Sequence, residues 1–336
     1  YGLRSIIKLA SNENALGPSP KALAAIRKAV PMVHRYPEGS CHYLRERLAR
    51  VHKVRAEEII FGNGSDEIIE LLGKTFLHTD DEVVVSDHAF IRYAMAGRLM
   101  GARVVTVPMR GYTHDVAAMA EAVTPNTRLV FIANPNNPTG TAVTMAELDA
   151  YFERVSDLTI TVLDEAYAEF VTDRRYESGL RWFRKGRNVM VLRTFSKIHG
   201  LAGLRVGYGV GRADVVHYLD RIRPPFNVNG PAQAAALAAL EDRAHVTRSL
   251  KLVQKERPRM QRALEALGLE VVPSVANFLL VGVGRPGKVV FVNLLKRGII
   301  VRAMDEYGYP EHIRVTIGRS NENARFLSAL KEVLTA

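Results

Sequence analysis

Arg128-Leu129-Val130-Phe131-Ile132-Ala133, followed at once by Asn134-Pro135-Asn136-Asn137-Pro138-Thr139-Gly140, is the stretch from which the fold is read. Leu129 to Ile132 are apolar without alternation, so the strand has no solvent face and belongs to a sheet covered on both sides. Sheets of that kind are mainly parallel, because crossover connections lay helices over both faces. Similar Val- and Ile-rich runs occur at Glu82 to Ser86, Arg103 to Val107, Thr159 to Asp164, Asn188 to Arg193 and Arg205 to Val210, separated by helical patterns between about Glu67 and Tyr208. The expectation is an α/β fold with a mainly parallel sheet flanked by helices, its functional loops at the carboxyl ends of the strands.

The rest of the chain predicts a smaller α+β unit. It comprises a long helix from about Ala244 to Leu267, short strands near Ala276 to Val281 and Ile313 to Ile317, and a closing helix from Asn321. Pro224-Pro225 and Gly230-Pro231 punctuate the passage between the two regions, and an early helix runs from Pro20 to Val30. No internal repeat or low-complexity tract is present.

The 336 residues suffice for two domains, and 47% hydrophobic with 24% charged residues is an ordinary globular composition. No apolar run approaches the ~20 residues of a membrane span, so a soluble protein is expected. Cys41 is the one cysteine, which excludes an intrachain disulfide and a thiolate metal cluster and suits the cytoplasm. Tyr1-Gly2-Leu3-Arg4 has neither an initiator Met nor a signal-like stretch, which leaves room for residues ahead of it. The net charge of +11 is scattered through helices without an aromatic-interleaved stripe, so small anions are expected as partners rather than nucleic acid. The histidines show no metal-ligand spacing, and no metal is expected.

Thr194-Phe195-Ser196-Lys197, with Leu204-Arg205-Val206-Gly207 after it, offers an amine, two hydroxyls and a guanidinium. A lysine forms an imine with a carbonyl once its neighbours lower its pKa, and Ser, Thr and Arg hold a phosphate dianion. An aldehyde cofactor carrying a phosphate needs that set, and pyridoxal phosphate is the candidate. Asp164-Glu165-Ala166-Tyr167 ends a buried strand, where a lone Asp is usually a helix cap but a buried carboxylate also keeps a pyridine nitrogen protonated. Asn137, at the end of its own strand, aims an amide at the same cleft, and Tyr167 can donate to the same phenolate oxygen.

Gly62-Asn63-Gly64-Ser65-Asp66-Glu67 opens a helix and leaves backbone N–H groups free for an anion, although Ser65 or Asp66 as an ordinary N-cap explains the segment equally well. Gly282-Val283-Gly284-Arg285-Pro286-Gly287 formally matches a nucleotide-loop pattern but reads as a strand-to-helix turn, since Pro286 interrupts it and no acidic residue follows a βαβ unit. Ser196 lacks a nucleophile-elbow context.

The order of these stations resembles that of the fold-type I aminotransferases, and more closely the histidinol-phosphate aminotransferase family. The likeness runs from Leu9-Ala10-Ser11-Asn12-Glu13-Asn14 and Gly17-Pro18-Ser19-Pro20, through Arg35-Tyr36-Pro37, to Arg314-Val315-Thr316-Ile317-Gly318. It implies a seven-stranded sheet and pyridoxal 5'-phosphate bound through Lys197. Asp164 is implied at the ring nitrogen, Asn137 and Tyr167 at the phenolate oxygen, and Phe90 and Ala166 on the two ring faces. The phosphate is implied to lie among Gly64, Ser65, Asp66, Thr194, Ser196 and Arg205, with Tyr36 reaching the cofactor of a neighbouring subunit in a homodimer. Arg314, Arg302 and Asn14 are implied at the substrate. The implied organisation is an N-terminal arm and helix over 1–31, packing with the small domain and the dimer partner, a large cofactor domain over 32–229 and a small domain over 230–336.

The reaction implied is transamination of histidinol phosphate with 2-oxoglutarate in histidine biosynthesis. An aromatic amino acid aminotransferase and a threonine-phosphate decarboxylase on the same scaffold are the alternatives. Three departures bear on substrate preference: Ala15 where many relatives have Pro, Phe90 where some have Tyr, and His199 where Tyr is frequent.

Overall fold

The computed structural model describes Gly2 and residues 5–335; Tyr1, Leu3 and Arg4 of the N-terminal reading lie outside the described residues. Thirteen strands are described: β1 (Ile7–Lys8), β2 (Ile59–Gly62), β3 (Glu82–Ser86), β4 (Arg103–Val107), β5 (Thr127–Ala133), β6 (Ile160–Asp164), β7 (Val189–Thr194), β8 (Gly207–Val210), β9 (Glu270–Val271), β10 (Phe278–Gly282), β11 (Ile299–Ile300), β12 (Arg302–Met304) and β13 (Tyr309–Thr316). Seven of them form one sheet in the order β2-β8-β7-β6-β5-β3-β4. Its pairs are parallel from β7 to β4, and β8 runs antiparallel to both β7 and β2.

Both faces of this sheet are covered, as the unbroken apolar run in β5 requires. Val130 and Ile132 enter a core with Leu48, Tyr151 and Trp182, while Leu129 and Phe131 enter another with Ile69, Leu72 and Leu219. Each such side chain, once removed from water, contributes about 1.5–3 kcal/mol. A third core lies around β10, β13 and the helices Arg243–Glu265, Gly287–Lys296 and Ser320–Thr335. There β12, β13, β10 and β9 form a four-stranded antiparallel sheet, and β1 pairs with β11. The helix Gly230–Leu240, capped by Asn229, sinks Ala232, Ala235, Ala236 and Ala239 into the core of the large sheet beside Ala22 of the helix Pro20–Ala29.

Within the large sheet two strands differ from expectation, and outside it the short strands β1, β9, β11 and β12 are additional. β2 was not anticipated: Ile59-Ile60-Phe61 is too short to show a period, and it follows the charged turn Arg55 to Glu58. The strand expected from Arg205 begins at Gly207, because Arg205 has left-handed backbone (φ +53°) and belongs to the turn. The Gly282 to Gly287 turn does join a strand to a helix, and Thr144 opens the helix Met145–Arg154 with a capping box through Glu147.

Candidate active site

The register of the sheet gathers the candidate residues at one edge. Ala133 pairs with Asp164, so the loop carrying Asn137 leaves beside the segment carrying Ala166 and Tyr167. Gly62 pairs with Gly207, and Gly207 with Thr194, so the turns holding Gly64, Arg205 and Ser196 emerge from a single row of the sheet. A cavity of about 280 Å³ opens there. Ser65, Asp66, Phe90, Asn137, Asp164, Ala166, Tyr167, Thr194, Ser196, Lys197 and Arg205 line it together with Lys8, Ser11, Glu13 and Tyr93.

One end of the cavity is built for an anion. The helix Ser65–Phe76 has Gly64 as its N-cap, with no side-chain capping bond, so neither Ser65 nor Asp66 is the cap and the first N–H groups stay available. Gly64 has φ +78°, and a Cβ there would lie 2.3 Å from Arg205 Nη2; only glycine lets the guanidinium lie across this turn. Arg205 donates to Ser196 Oγ (3.4 Å) and Ala202 O (3.2 Å) and faces Asp66 at 3.5 Å. Thr194 Oγ1 accepts from the Ser196 N–H at 3.1 Å. Asp66 thus meets the site through its carboxylate on Arg205.

At the opposite wall Asp164 is buried and receives only neutral donors, the Tyr93 hydroxyl at 2.8 Å and the Ala166 N–H at 3.1 Å. Burial pushes its pKa up to about 6 against those two donors, and Asp66 and Glu165 push the same way. Such a carboxylate suits a cationic partner. Tyr93 went unnoticed in the sequence, although it lies three residues after Phe90 at the start of the helix Arg92–Leu99. Its ring stacks on Phe131 (4.8 Å) and meets Phe90 edge-on (5.7 Å).

Lys197 Nζ donates to Ser11 O at 3.2 Å and lies 5.5 Å from the centre of the Tyr167 ring. Arg314 is buried on β13. It donates to Asn137 Oδ1 and, at 2.9 Å, to Ala10 O, which leaves the Asn137 amide N–H groups for the cavity. No carboxylate lies within 4 Å of Arg314 among the described residues, and burial holds its pKa below the usual arginine range. Arg302 is the cross-strand partner of Arg314 in the β12–β13 ladder, so the two share a face. Its guanidinium pairs with Glu306 at 2.8 Å and does not line the cavity.

Two expected positions lie elsewhere. Asn14 donates its amide to Ile198 O (2.7 Å) and Ser249 Oγ (2.9 Å), fastening the arm to the loop after Lys197, and is not among the residues lining the cavity. Tyr36 is 83% exposed and stacks on Phe226, outside the cavity of its own chain. Among the described residues no cluster of three or more His, Cys, Asp or Glu is arranged to hold a metal, and no helix is long and apolar enough to cross a membrane.

A lysine at the centre of a parallel-sheet edge, an anion cup on one side and a buried carboxylate on the other define an aminotransferase-type site. The chain belongs to the family aminotransferase class I and II, which it matches over residues 4–330. It is 49% identical to the histidinol-phosphate aminotransferase of Moorella thermoacetica over 99% of this chain and 86% of that protein. It is 50% identical to that of Anaeromyxobacter sp. over 100% of this chain and 93% of that one. Among solved structures, histidinol-phosphate aminotransferase from Sinorhizobium meliloti in complex with pyridoxal-5'-phosphate superposes with a TM-score of 0.93 at 29% identity, covering 99% of this chain and 92% of that one.

Proposed function

We propose that this protein is a histidinol-phosphate aminotransferase: it moves the amino group of histidinol phosphate to 2-oxoglutarate, giving imidazole acetol phosphate and glutamate in histidine biosynthesis. The cofactor is pyridoxal 5'-phosphate. The residues present fit it: an uncapped helix start with Arg205 for the phosphate, Lys197 for the aldehyde, and Asp164, buried without a cation, for the ring nitrogen. The observation that carries the substrate reading is the buried, carboxylate-free guanidinium of Arg314 beside that cavity. It can take the carboxylate of one substrate and the phosphate of the other, with Arg302 on the same face. The names of the relatives at 49% and 50% identity support the same choice.

When bound, the cofactor supplies an electron sink for the pair released as the substrate's carbon–hydrogen bond breaks. Lys197 Nζ would hold the cofactor's aldehyde end and would be the base placed to take up and return that proton. The Asp164 carboxylate would hold the proton on the ring nitrogen, and Tyr93 and the Ala166 N–H hold the carboxylate. Asn137 Nδ2 and the Tyr167 hydroxyl would donate to the phenolate oxygen, Phe90 and Ala166 would cover the ring, and Gly64, Ser65, Asp66, Thr194, Ser196 and Arg205 would form the phosphate cup.

We read the active form as a homodimer in the cytoplasm. Exposed Tyr36, Phe226, Met32 and Val33 support such an interface, with Tyr36 reaching the partner's phosphate cup. The arm over 1–31 and two further units organise the chain on this reading, with the boundary between them lying past the expected 229/230 division. The alanines of the helix Gly230–Leu240, packed under the large sheet, favour a boundary just after it.

Purified protein given histidinol phosphate, phenylalanine or O-phosphothreonine with 2-oxoglutarate tests the reading. Glutamate formed fastest from histidinol phosphate is expected; faster turnover of phenylalanine, or carbon dioxide without glutamate, overturns it.

A further inference from the structure

Asn12 sits wholly inside the molecule with left-handed backbone, φ +56°, on the arm that crosses the cavity. Each of its polar groups has a partner. Its N–H donates to Thr316 Oγ1 (2.9 Å), its carbonyl accepts from Asn277 Nδ2 (3.0 Å), and its Nδ2 donates to the Tyr167 hydroxyl oxygen (2.9 Å). The side-chain orientation is settled by Thr316. Having accepted from the Asn12 N–H, that hydroxyl has its own proton free, and the acceptor facing it is Asn12 Oδ1 at 3.4 Å. Oδ1 therefore faces Thr316, and the amide N–H groups face Tyr167.

A hydroxyl that receives a proton from an amide must point its own proton somewhere else. Tyr167 lines the cavity, and Asn12 is the one hydrogen-bond partner of its hydroxyl among the described residues. The charged groups nearby are Lys197 over the ring face, Asp164 on the cavity wall and Arg314 on Asn137, and none of them makes a hydrogen bond to the Tyr167 oxygen among the described residues. We propose that Asn12 is a positioning residue: it holds the Tyr167 oxygen as an acceptor on the arm side, so that the phenol proton is presented to the ligand's phenolate oxygen. The inference rests on the placement of Tyr167 in the reading above. It also makes the arm part of the catalytic centre, since the preceding residue, Ser11, accepts from Lys197.

The test is the protonation midpoint of the visible absorbance band of the cofactor-loaded protein, without substrate. A donor on the phenolate oxygen stabilises the deprotonated chromophore, so losing it moves the midpoint up, by about one pH unit for a hydrogen bond to a charged oxygen. Asn12→Asp keeps the shape and tolerates the left-handed backbone, but it presents an acceptor and turns the Tyr167 proton away. Asn12→Gly removes the amide without strain and decides the matter should the Asp variant fail to fold. Upward shifts are expected in Asn12→Asp, Asn12→Gly and Tyr167→Phe, with no added shift when Asn12→Asp is placed in the Tyr167→Phe background. Unmoved midpoints in both Asn12 variants alongside a shifted Tyr167→Phe overturn the inference alone. So does an Asn12→Asp shift that persists in the Tyr167→Phe background, which marks a plain charge effect. An unmoved Tyr167→Phe overturns the placement of Tyr167 and the inference with it.

Discussion

Arg193 and Arg314 each carry a guanidinium into the interior, and the molecule surrounds them in opposite ways. Arg193, near the end of β7, lies between Glu165 at 2.5 Å and Glu169 at 3.0 Å. Arg314, near the end of β13, meets an amide oxygen and a backbone carbonyl and has no carboxylate beside it among the described residues. A buried charge with its counter-charge built in is part of the architecture, whereas one left without is held ready for an anion from outside. The two also belong to different sheets: Arg193 on β7 of the large sheet is neutralised in place, and Arg314 on β13 of the smaller sheet is not.

The largest expected effect lies between the two arginines. Lys197→Ala should lower glutamate formation by about 10³-fold or more, since proton transfer and covalent attachment both end at Nζ; steady-state turnover near the parent rate would remove Lys197 from the reaction. Next come the arginines themselves. Arg193→Met should cost about 3–5 kcal/mol in denaturant unfolding, because Glu165 then stays buried without its cation. Arg314→Met should leave stability unchanged or raised while kcat/KM falls about 100-fold. Equal stability losses in the two variants would erase the distinction.

Asp164 sharpens the comparison from the acid side. With its folded-state pKa at about 6 against 3.8 ordinarily, the folded cofactor-free protein binds this proton more tightly than the unfolded chain does. On this group's account stability is greatest below the ordinary value and falls as pH rises towards 6, by about 3 kcal/mol in all. Asp164→Asn should flatten that part of the stability profile of the cofactor-free protein, and an unchanged slope would mean the carboxylate is not burdened. The smallest effect is expected from Arg302→Ala. The Arg302–Glu306 pair is exposed, so KM should rise about threefold with melting temperature unmoved.

The sheet was legible from β5 because covering both faces leaves a mark on every residue of a strand. Asp164, Asn137 and Lys197 were legible as well, since Asp164 ends β6 and the other two lie in the loops that leave β5 and β7, and the strand ends define the cleft. Tyr93 and Asn12 were not. Their partners are Asp164 and Tyr167, 71 and 155 residues away, and no local pattern encodes a contact of that kind. Asn14 shows the converse: its neighbours Ser11 and Glu13 line the cavity while its own side chain turns to Ser249. β2 stayed hidden because a four-residue edge strand is too short for any period to register.

Because β8 runs against its neighbours, the chain leaves β7 at Thr194 and re-enters the sheet at Gly207 in the same row, closed by bonds from the Phe195 N–H to Val206 O and from the Leu201 N–H to Phe195 O. Lys197 and Arg205 thus ride on one short hairpin loop. On the proposed reading, the grips on the aldehyde and phosphate ends of a ligand form a single vice carried by one connection, while Arg314 is anchored on β13 of the other sheet. Lengthening this loop by even one residue would open the vice, whereas a similar insertion at the distant Gly186 turn would leave its grip untouched.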